Sequence, residues 1–326
     1  MDVQTKTKRI MINNIGLLHG VTGLCLSSFL MGETEKGYDY LHDIQDYLKT
    51  HDLGISFDNG INGISWALMF LMKKNLIDYD FQLFFKSVDC LNYREYAYDH
   101  DSFYNKEAVT DIFSMVYSLD TVKRSNEEKS IIIKLINKSL YKLFESLNED
   151  DFIEPARFSL DYFTPRLLLL IDYISTIHEI SEYLPNILDE IKRAVIYRIP
   201  ISHGNRLFLS FAISNRLFQK DKEWNEFASV LLENIRLKQI YDETNNNPYI
   251  NDGCGGIYLL IRKHTFFKTM IRDIGENILE RISTSYEIKH LEINSIYRQH
   301  HMGLYDGIAG IELIKYLINE DKKWRR

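Results

Sequence analysis

A short phrase, Gly-x-x-Gly followed at once by an apolar stretch, recurs along this chain and constrains its fold more than any other feature. Clear copies begin at Gly20, Gly60, Gly253 and Gly307. A weaker copy at Gly204 keeps only its first glycine, and degenerate copies around Glu107 and Asp161 fill the gap between Gly60 and Gly204. Intervals of about 40 to 50 residues are typical of stacked supersecondary units. The spacing therefore predicts seven repeated units.

The residue before the first glycine position is polar in every unit. In chain order these residues are His19, Asn59, Glu107, Asp161, His203, Asp252 and Asp306. A polar side chain there can cap exposed backbone N–H groups, and glycine permits a tight turn at a helix start. A functional interpretation also applies, because seven helix starts at one end of a ring would surround a single cavity that favours anionic groups. The sequence leaves both interpretations open.

Each unit is predicted to hold two helices of different character. The segment after the glycines is apolar on nearly every face, as in residues 64–72, and such helices are buried. The second helix is amphipathic, as in residues 38–49, with further examples at 127–147, 177–198 and 268–283. An open helical solenoid would need polar ends, yet the first and last apolar segments are as apolar as the central ones. We therefore expect an all-α fold, an (α/α) toroid of seven helical hairpins with inner and outer helices, as one domain over 1–326.

Composition narrows the classes of function. The 326 residues are 45% hydrophobic, enough for a large core, and the net charge of -7 argues against binding to nucleic acid. Three separated cysteines, Cys25, Cys90 and Cys254, fit free thiols in a reducing compartment better than disulfides. The basic start before residues 15–31 looks like a signal peptide, but glycines and His19 interrupt it. We expect a cytoplasmic protein without a membrane span.

The repeated phrase resembles the hallmark of the lanthionine synthetase C-like (LanC-like) family, and the similarity extends over almost the whole chain. The run from Gly307 to Ile311 is the copy most similar to the family's motif. The resemblance implies a toroid of seven helical hairpins with Gly-x-x-Gly at the starts of the inner helices. The family's activity is zinc-dependent thioether formation, in which a cysteine of a precursor peptide adds to a dehydrated Ser or Thr.

The family's zinc ligands do not carry over to this sequence. Where relatives have Trp-Cys-Tyr-Gly in the fifth unit, this chain has Ile201-Ser202-His203-Gly204, and Asn251-Asp252-Gly253 replaces Cys-His-Gly in the sixth. In the fourth unit Asp161-Tyr162 stands where relatives have a His-Gly that handles protons. A hydroxyl, an amide and a carboxylate are poor replacements for two thiolates and an imidazole. We expect no cofactor and no metal here.

Two alternatives keep chemistry in the cavity. A relocated zinc site would use His203, Cys254 and His301, with His300 beside them; the same Cys254 is also a candidate nucleophile, with His203 or His301 as base. A carbohydrate-active toroid would instead place two carboxylates across the cavity, one as acid and one as base. Its candidates are Asp161, Asp252, Asp306 and Glu107.

We therefore predict a LanC-like protein of peptide modification that is zinc-less and non-cyclising, and that binds a peptide substrate or a peptide-modifying enzyme. The candidate catalytic residues are His203, Asp252, Asp306 and Asp161. The candidate cavity rim is His19, Asn59, Glu107, Ser202, Asn251, Cys254 and His301. A pure interaction scaffold with a vestigial cavity is the remaining alternative.

Overall fold

The computed structural model of the protein describes residues 14–98, 108–181, 184–293 and 295–323. Within these ranges the chain is helical and has no strand, which confirms the predicted all-α class. The helices are α1 (Val21–Leu30), α2 (Thr34–Leu48), α3 (Ile61–Lys73), α4 (Gln82–Tyr98), α5 (Ala108–Thr121), α6 (Asn126–Ser146), α7 (Phe163–Ile174), α8 (His178–Ser181), α9 (Leu184–Val195), α10 (His203–Ile213), α11 (Lys222–Glu233), α12 (Leu237–Thr244), α13 (Cys254–Lys263), α14 (Ile271–Thr284), α15 (Tyr286–Ile293), α16 (Ser295–His300) and α17 (Ile308–Lys323). Short 3-10 turns lie at Glu149–Phe152, Phe218–Lys220 and Thr265–Phe267.

Seven of these helices follow the repeated phrase and its degenerate copies, and in all of them except α17 most residues are buried. They are α1, α3, α5, α7, α10, α13 and α17. Each of them contacts the next along the chain, and the last, α17, packs against the first, α1. The contacts among these seven helices therefore run in a closed cycle.

The core consists of three adjoining apolar clusters. One lies around α1 to α4 and includes Leu41 and Phe85. A second extends from α5 and α6 through α7 to α11, and a third joins α10 to α17 and includes Tyr258. Each cluster is shared by several units, so no unit buries its apolar face alone.

The amphipathic helices broadly match their predicted positions. The helix expected at 127–147 is α6, which begins after a capping box formed by Ser125 and Glu128. The helix expected at 177–198 is instead two helices, α8 and α9. Helix α12 continues to Thr244 because Ile240, Tyr241 and Thr244 are buried, and it is followed by Asn245 in the left-handed conformation. None of the helices in the described ranges is both long and apolar enough to cross a membrane.

Candidate functional site at the helix starts

The loops before four of the apolar helices fold back over the helix that they precede. In each, the first helical N–H donates to a carbonyl seven residues earlier. These bonds run from Val21 to Asn14, from Ile61 to Gly54, from Cys254 to Asn247 and from Ile308 to His301, at 2.8–3.1 Å. The N-cap residues of α1, α3 and α13 are the glycines themselves, without a side-chain cap. Main-chain carbonyls thus satisfy N–H groups that a polar side chain would otherwise cap, so the preceding polar residues bind elsewhere.

The returning loop explains both glycines of the motif. A Cβ added to Gly60 would lie 2.3 Å from the carbonyl oxygen of Gly54, and one added to Gly63 would lie 1.9 Å from that of Phe57. The partner is six residues earlier in both cases. Gly60 has an ordinary extended φ of -113°, so the requirement is for space and not for a left-handed backbone. The Gly-x-x-Gly phrase is therefore the signature of this loop.

A chain of main-chain hydrogen bonds connects the loops to each other. Leu160 N donates to Asn251 O at 2.7 Å, Asn251 N to Tyr305 O at 3.1 Å, Tyr305 N to Leu18 O at 2.9 Å, and Leu18 N to Asp58 O at 3.1 Å. Each of these five residues lies three positions before the first residue of its apolar helix. In the order given, they belong to units four, six, seven, one and two. We call the surface formed by residues 14–20, 54–60, 159–161, 247–253 and 301–307 the loop face. It gathers polar side chains from distant parts of the sequence.

Two histidines on the loop face are oriented by one residue, Asp306. The Nδ1 atom of His19 lies 2.8 Å from Asp306 Oδ1, and Nδ1 of His301 lies 2.8 Å from the main-chain oxygen of Asp306. An oxygen partner at Nδ1 places the ring proton there and directs Nε2 outward, as in oriented catalytic and binding histidines. The His301 ring is parallel to the Tyr249 ring, with centroids 6.0 Å apart, and tilted against the Tyr297 ring, with centroids 4.2 Å apart.

The charges around His19 favour its protonated form. The hydrogen bond to Asp306 raises the pKa of His19, burial opposes it, and the charges of Asp306, Asp58 and Asp161 raise it further, so that the pKa lies above its usual value. Burial alone would raise the pKa of Asp306, but the hydrogen bond and charge of His19, together with His301, hold it below its usual value. These shifts stabilise an imidazolium–carboxylate pair between the first and last units.

A second polar cluster on the loop face surrounds Asp161. Its carboxylate accepts from Arg166 at 3.1 Å and from the Asn251 amide at 3.0 Å. The other end of the Arg166 guanidinium donates to Thr110 at 3.1 Å. Tyr305 lies within electrostatic reach of this cluster and of Asp58. The pKa of Tyr305 is raised, mainly by burial and further by the charges of Asp161 and Asp58, while the charge of Arg166 opposes the shift. Because the Tyr305 ring also meets the His19 ring edge-on at 6.2 Å, it connects the two clusters.

The fifth unit departs from the predicted register. The N-cap of α10 is Ser202, and the residue that corresponds to His19 is the exposed Ile201, not His203. The Nδ1 atom of His203 accepts from the N–H of Arg236 at 3.2 Å. Burial and the charge of Arg206 lower its pKa. His203 therefore lies outside the histidine pair of the loop face.

The other predicted residues do not form one cluster, and most of them bind different partners within the protein. Ser202 Oγ donates to Glu243 at 2.8 Å, and Asp252 accepts from the Asn247 amide at 2.8 Å. Asn59 accepts from the Asn14 amide at 3.1 Å. Cys254 is fully buried, and burial raises the pKa of its thiol to about 12, so it is not a thiolate near neutral pH. Glu107 lies outside the described residues.

The family's zinc does not fit the residues at the matching positions. Ser202, Asn251 and Asp252 each face a different protein partner, and they supply no thiolate or imidazole. The relocated set is not assembled either, since Cys254 is buried while His203 and His301 bond to separate loops. Among the described residues, no group of three or more His, Cys, Asp or Glu side chains is arranged to hold a metal ion.

Sequence reasoning missed Tyr305, Arg166 and Asp58. The signal was present one position earlier than the polar column: Leu18, Asp58, Asn251 and Tyr305 all stand two residues before a motif glycine. The residues at this position make the main-chain hydrogen bonds between loops. An alignment of the whole loops, and not only of the glycines, would have identified the position. No protein-family model matches the chain, and no curated protein compared with it does so.

Proposed function

We propose that the protein is a seven-hairpin (α/α) toroid of the LanC-like type that binds a peptide at its loop face as part of peptide modification, without zinc and without forming thioethers. The observation that carries this proposal is the closed cycle of contacts among the seven apolar helices, together with the loops that bring five helix starts to one surface. A closed array of this kind has one such surface, where the repeated loops meet. Binding of a peptide-modifying enzyme is the second candidate function, since such an enzyme would carry the same peptide.

The loop face suits a polar, extended ligand. His19 and His301 direct Nε2 atoms away from Asp306, and Tyr305 stands beside them. A peptide backbone offers N–H donors and C=O acceptors, which a neutral or protonated imidazole can pair with. The half-buried rings of Tyr297 and His301, with centroids 4.2 Å apart, add flat surface for side chains. This arrangement supports binding and positioning.

Two observations speak for a non-cyclising member. The buried Cys254 is a protonated thiol, and the three positions that match the family's ligands are hydrogen-bonded within the protein. Two of the four carboxylates named for the sugar-active alternative do not suit a general acid, which needs a raised pKa, because the pKa of Asp306 is lowered and Asp161 is paired with Arg166.

The test is peptide binding combined with metal analysis. A short open reading frame beside this gene, next to one for a dehydratase, would supply the precursor, which is synthesised with a fluorescent label and titrated into the protein. We expect saturable binding that weakens about tenfold or more when His19→Gln and His301→Gln are combined, because oriented polar contacts are lost. His203→Gln is the matched control, since it makes the same change at a histidine outside the pair.

Either of two results would overturn the proposal. Stoichiometric zinc in protein purified without chelators would refute the zinc-less assignment. Binding that H203Q weakens as much as the H19Q/H301Q pair would remove the ligand from the loop face.

A further inference from the structure

A groove between α4 and α6 forms a second surface, made of residues that the loop face does not use. It has a volume of about 800 Å³. Its lining is Lys86, Asp89, Cys90, Tyr93, Ala97, Glu128, Ile131, Ile132, Lys134, Leu135 and Lys138. Ile132 and Leu135 form a buried floor, while Ile131 and Tyr93 remain 48% and 43% exposed. Exposed apolar side chains around a concave surface are typical of a site for another molecule.

The charges at this groove are unbalanced in favour of lysine. Asp89 is held by the buried guanidinium of Arg124 at 2.7 and 2.8 Å, and Glu128 pairs with Lys86 at 3.0 Å. No carboxylate among the described residues pairs with Lys134 or Lys138, and Lys138 donates only to the main-chain oxygen of Ala97 at 2.8 Å. Lys134 and Lys138 are one turn apart on α6, so both ammonium groups border the same side of the groove.

We infer that the α4–α6 groove is the docking site for an acidic amphipathic helix of a partner protein. Two packed helices with an apolar floor between them form the kind of groove that accepts the apolar stripe of a third helix. Carboxylates beside that stripe would meet Lys134 and Lys138, which pair with no carboxylate in the part of the chain that the structure describes. The start of this chain, with Lys6, Lys8 and Arg9, has the wrong charge for this site.

The groove contains its own reporter, Cys90. It is exposed, whereas Cys25 and Cys254 are buried and burial raises the pKa of each thiol to about 12. A bound helix would cover Cys90 and slow its reaction with a maleimide. The probe is a fluorescein-labelled synthetic helix of about 14 residues, with leucines on one face and glutamates beside them, and its counterpart has lysines in place of the glutamates.

The experiment measures anisotropy and Cys90 alkylation with the full-length protein. We expect the glutamate helix to bind and to protect Cys90, and the lysine helix to do neither. Lys134→Glu with Lys138→Glu should weaken binding about tenfold or more. Lys238→Glu with Lys289→Glu is the matched control, because it changes net charge equally at two exposed lysines on α12 and α15.

Three outcomes would overturn the inference. They are failure of the glutamate helix to bind the native protein, equal weakening by both charge-reversed variants, and binding that leaves the alkylation rate of Cys90 unchanged. Ile131→Asp provides a second variant, since it places a charge on the apolar side of the groove and should abolish binding without altering the lysines. Peptide binding at the loop face would be unaffected by any of these results.

Discussion

The tightest glycine of the repeated motif, Gly63, provides a quantitative test of the loop geometry. A Cβ at this position would lie 1.9 Å from Phe57 O and 3.0 Å from Leu17 Cβ. Non-bonded carbon and oxygen atoms need more than about 3 Å, so the loop would have to move by about 1 Å. That movement would disturb the hydrogen bond from Ile61 N to Gly54 O, which is 2.9 Å long. Gly63→Ala should therefore destabilise the protein.

The change in the free energy of unfolding follows from two destabilising contributions and one stabilising contribution. Overpacking costs about 1–3 kcal/mol, and weakening one buried main-chain hydrogen bond costs about 1 kcal/mol more. Alanine in place of glycine within α3 returns about 1 kcal/mol of helix propensity. The net loss is about 2 kcal/mol. With an unfolding entropy of about 2.1 cal/mol/K per residue over 326 residues, Tm should fall by about 3 °C.

The assay is thermal and urea unfolding followed by circular dichroism, with Gly54→Ala as the matched control. Gly54 lies at the start of the same loop, and a Cβ there meets nothing within 4 Å. This variant should unfold within about 0.5 kcal/mol of the native protein, on the stabilised side because the unfolded chain loses freedom. If Gly63→Ala is as stable as Gly54→Ala, the returning loop does not explain the motif.

Three further predictions concern titration and thiol access. The His19–Asp306 pair should stabilise the fold most between about pH 3.8 and 6.5. Because the pKa of His19 is raised in the folded state, the contribution of His19 to stability declines as the pH rises through that folded pKa. Because the pKa of Asp306 is lowered, the contribution of Asp306 declines as the pH falls through the folded pKa of Asp306. The difference in Tm between native protein and His19→Gln, measured across pH, should show that window; a constant difference would contradict it. Burial raises the pKa of Asp111 to about 7, so the unfolded state releases this proton first and the stability contribution of Asp111 should decline from about pH 4 to 7. Asp111→Asn should remove that decline in urea titrations at successive pH values, and its persistence would assign it to other groups. A thiol reagent should modify Cys90 alone in native protein and all three cysteines in denatured protein, and rapid native reaction of Cys254 would contradict its burial.

The sequence was informative about repetition and less so about the site. Apolar runs after Gly20, Gly60, Gly253 and Gly307 predicted buried helices because burial on all faces leaves a direct record in composition. The pairing of His19 with Asp306 joins residues 287 apart, and no local pattern encodes which unit starts meet.

The fifth unit shows the limit of motif alignment. Gly204 looks like the first motif glycine, yet Ser202 occupies the cap position, and the buried Asn205 stands where the second glycine would be. The Asn205 amide donates to the main-chain oxygens of Pro155 and Arg157 at 3.1 Å. In this unit the Asn205 side chain makes the contacts, and Ser202 and Asn205 occupy the two positions that hold glycine in the clear copies of the motif.

The contact between α17 and α1 has a consequence for how the chain is made. On a ribosome, α1 emerges before its partner surface, with Gly303 and Tyr305, which is synthesised some 280 residues later. Until then, among the described helices, α2 and α3 are the main elements that cover the apolar side of α1. At a synthesis rate of about 5–20 residues per second, this side of α1 stays exposed for about 15 to 60 seconds. The nascent protein therefore exposes an apolar edge during that time, and chaperone dependence should be concentrated at the unit that contains α1.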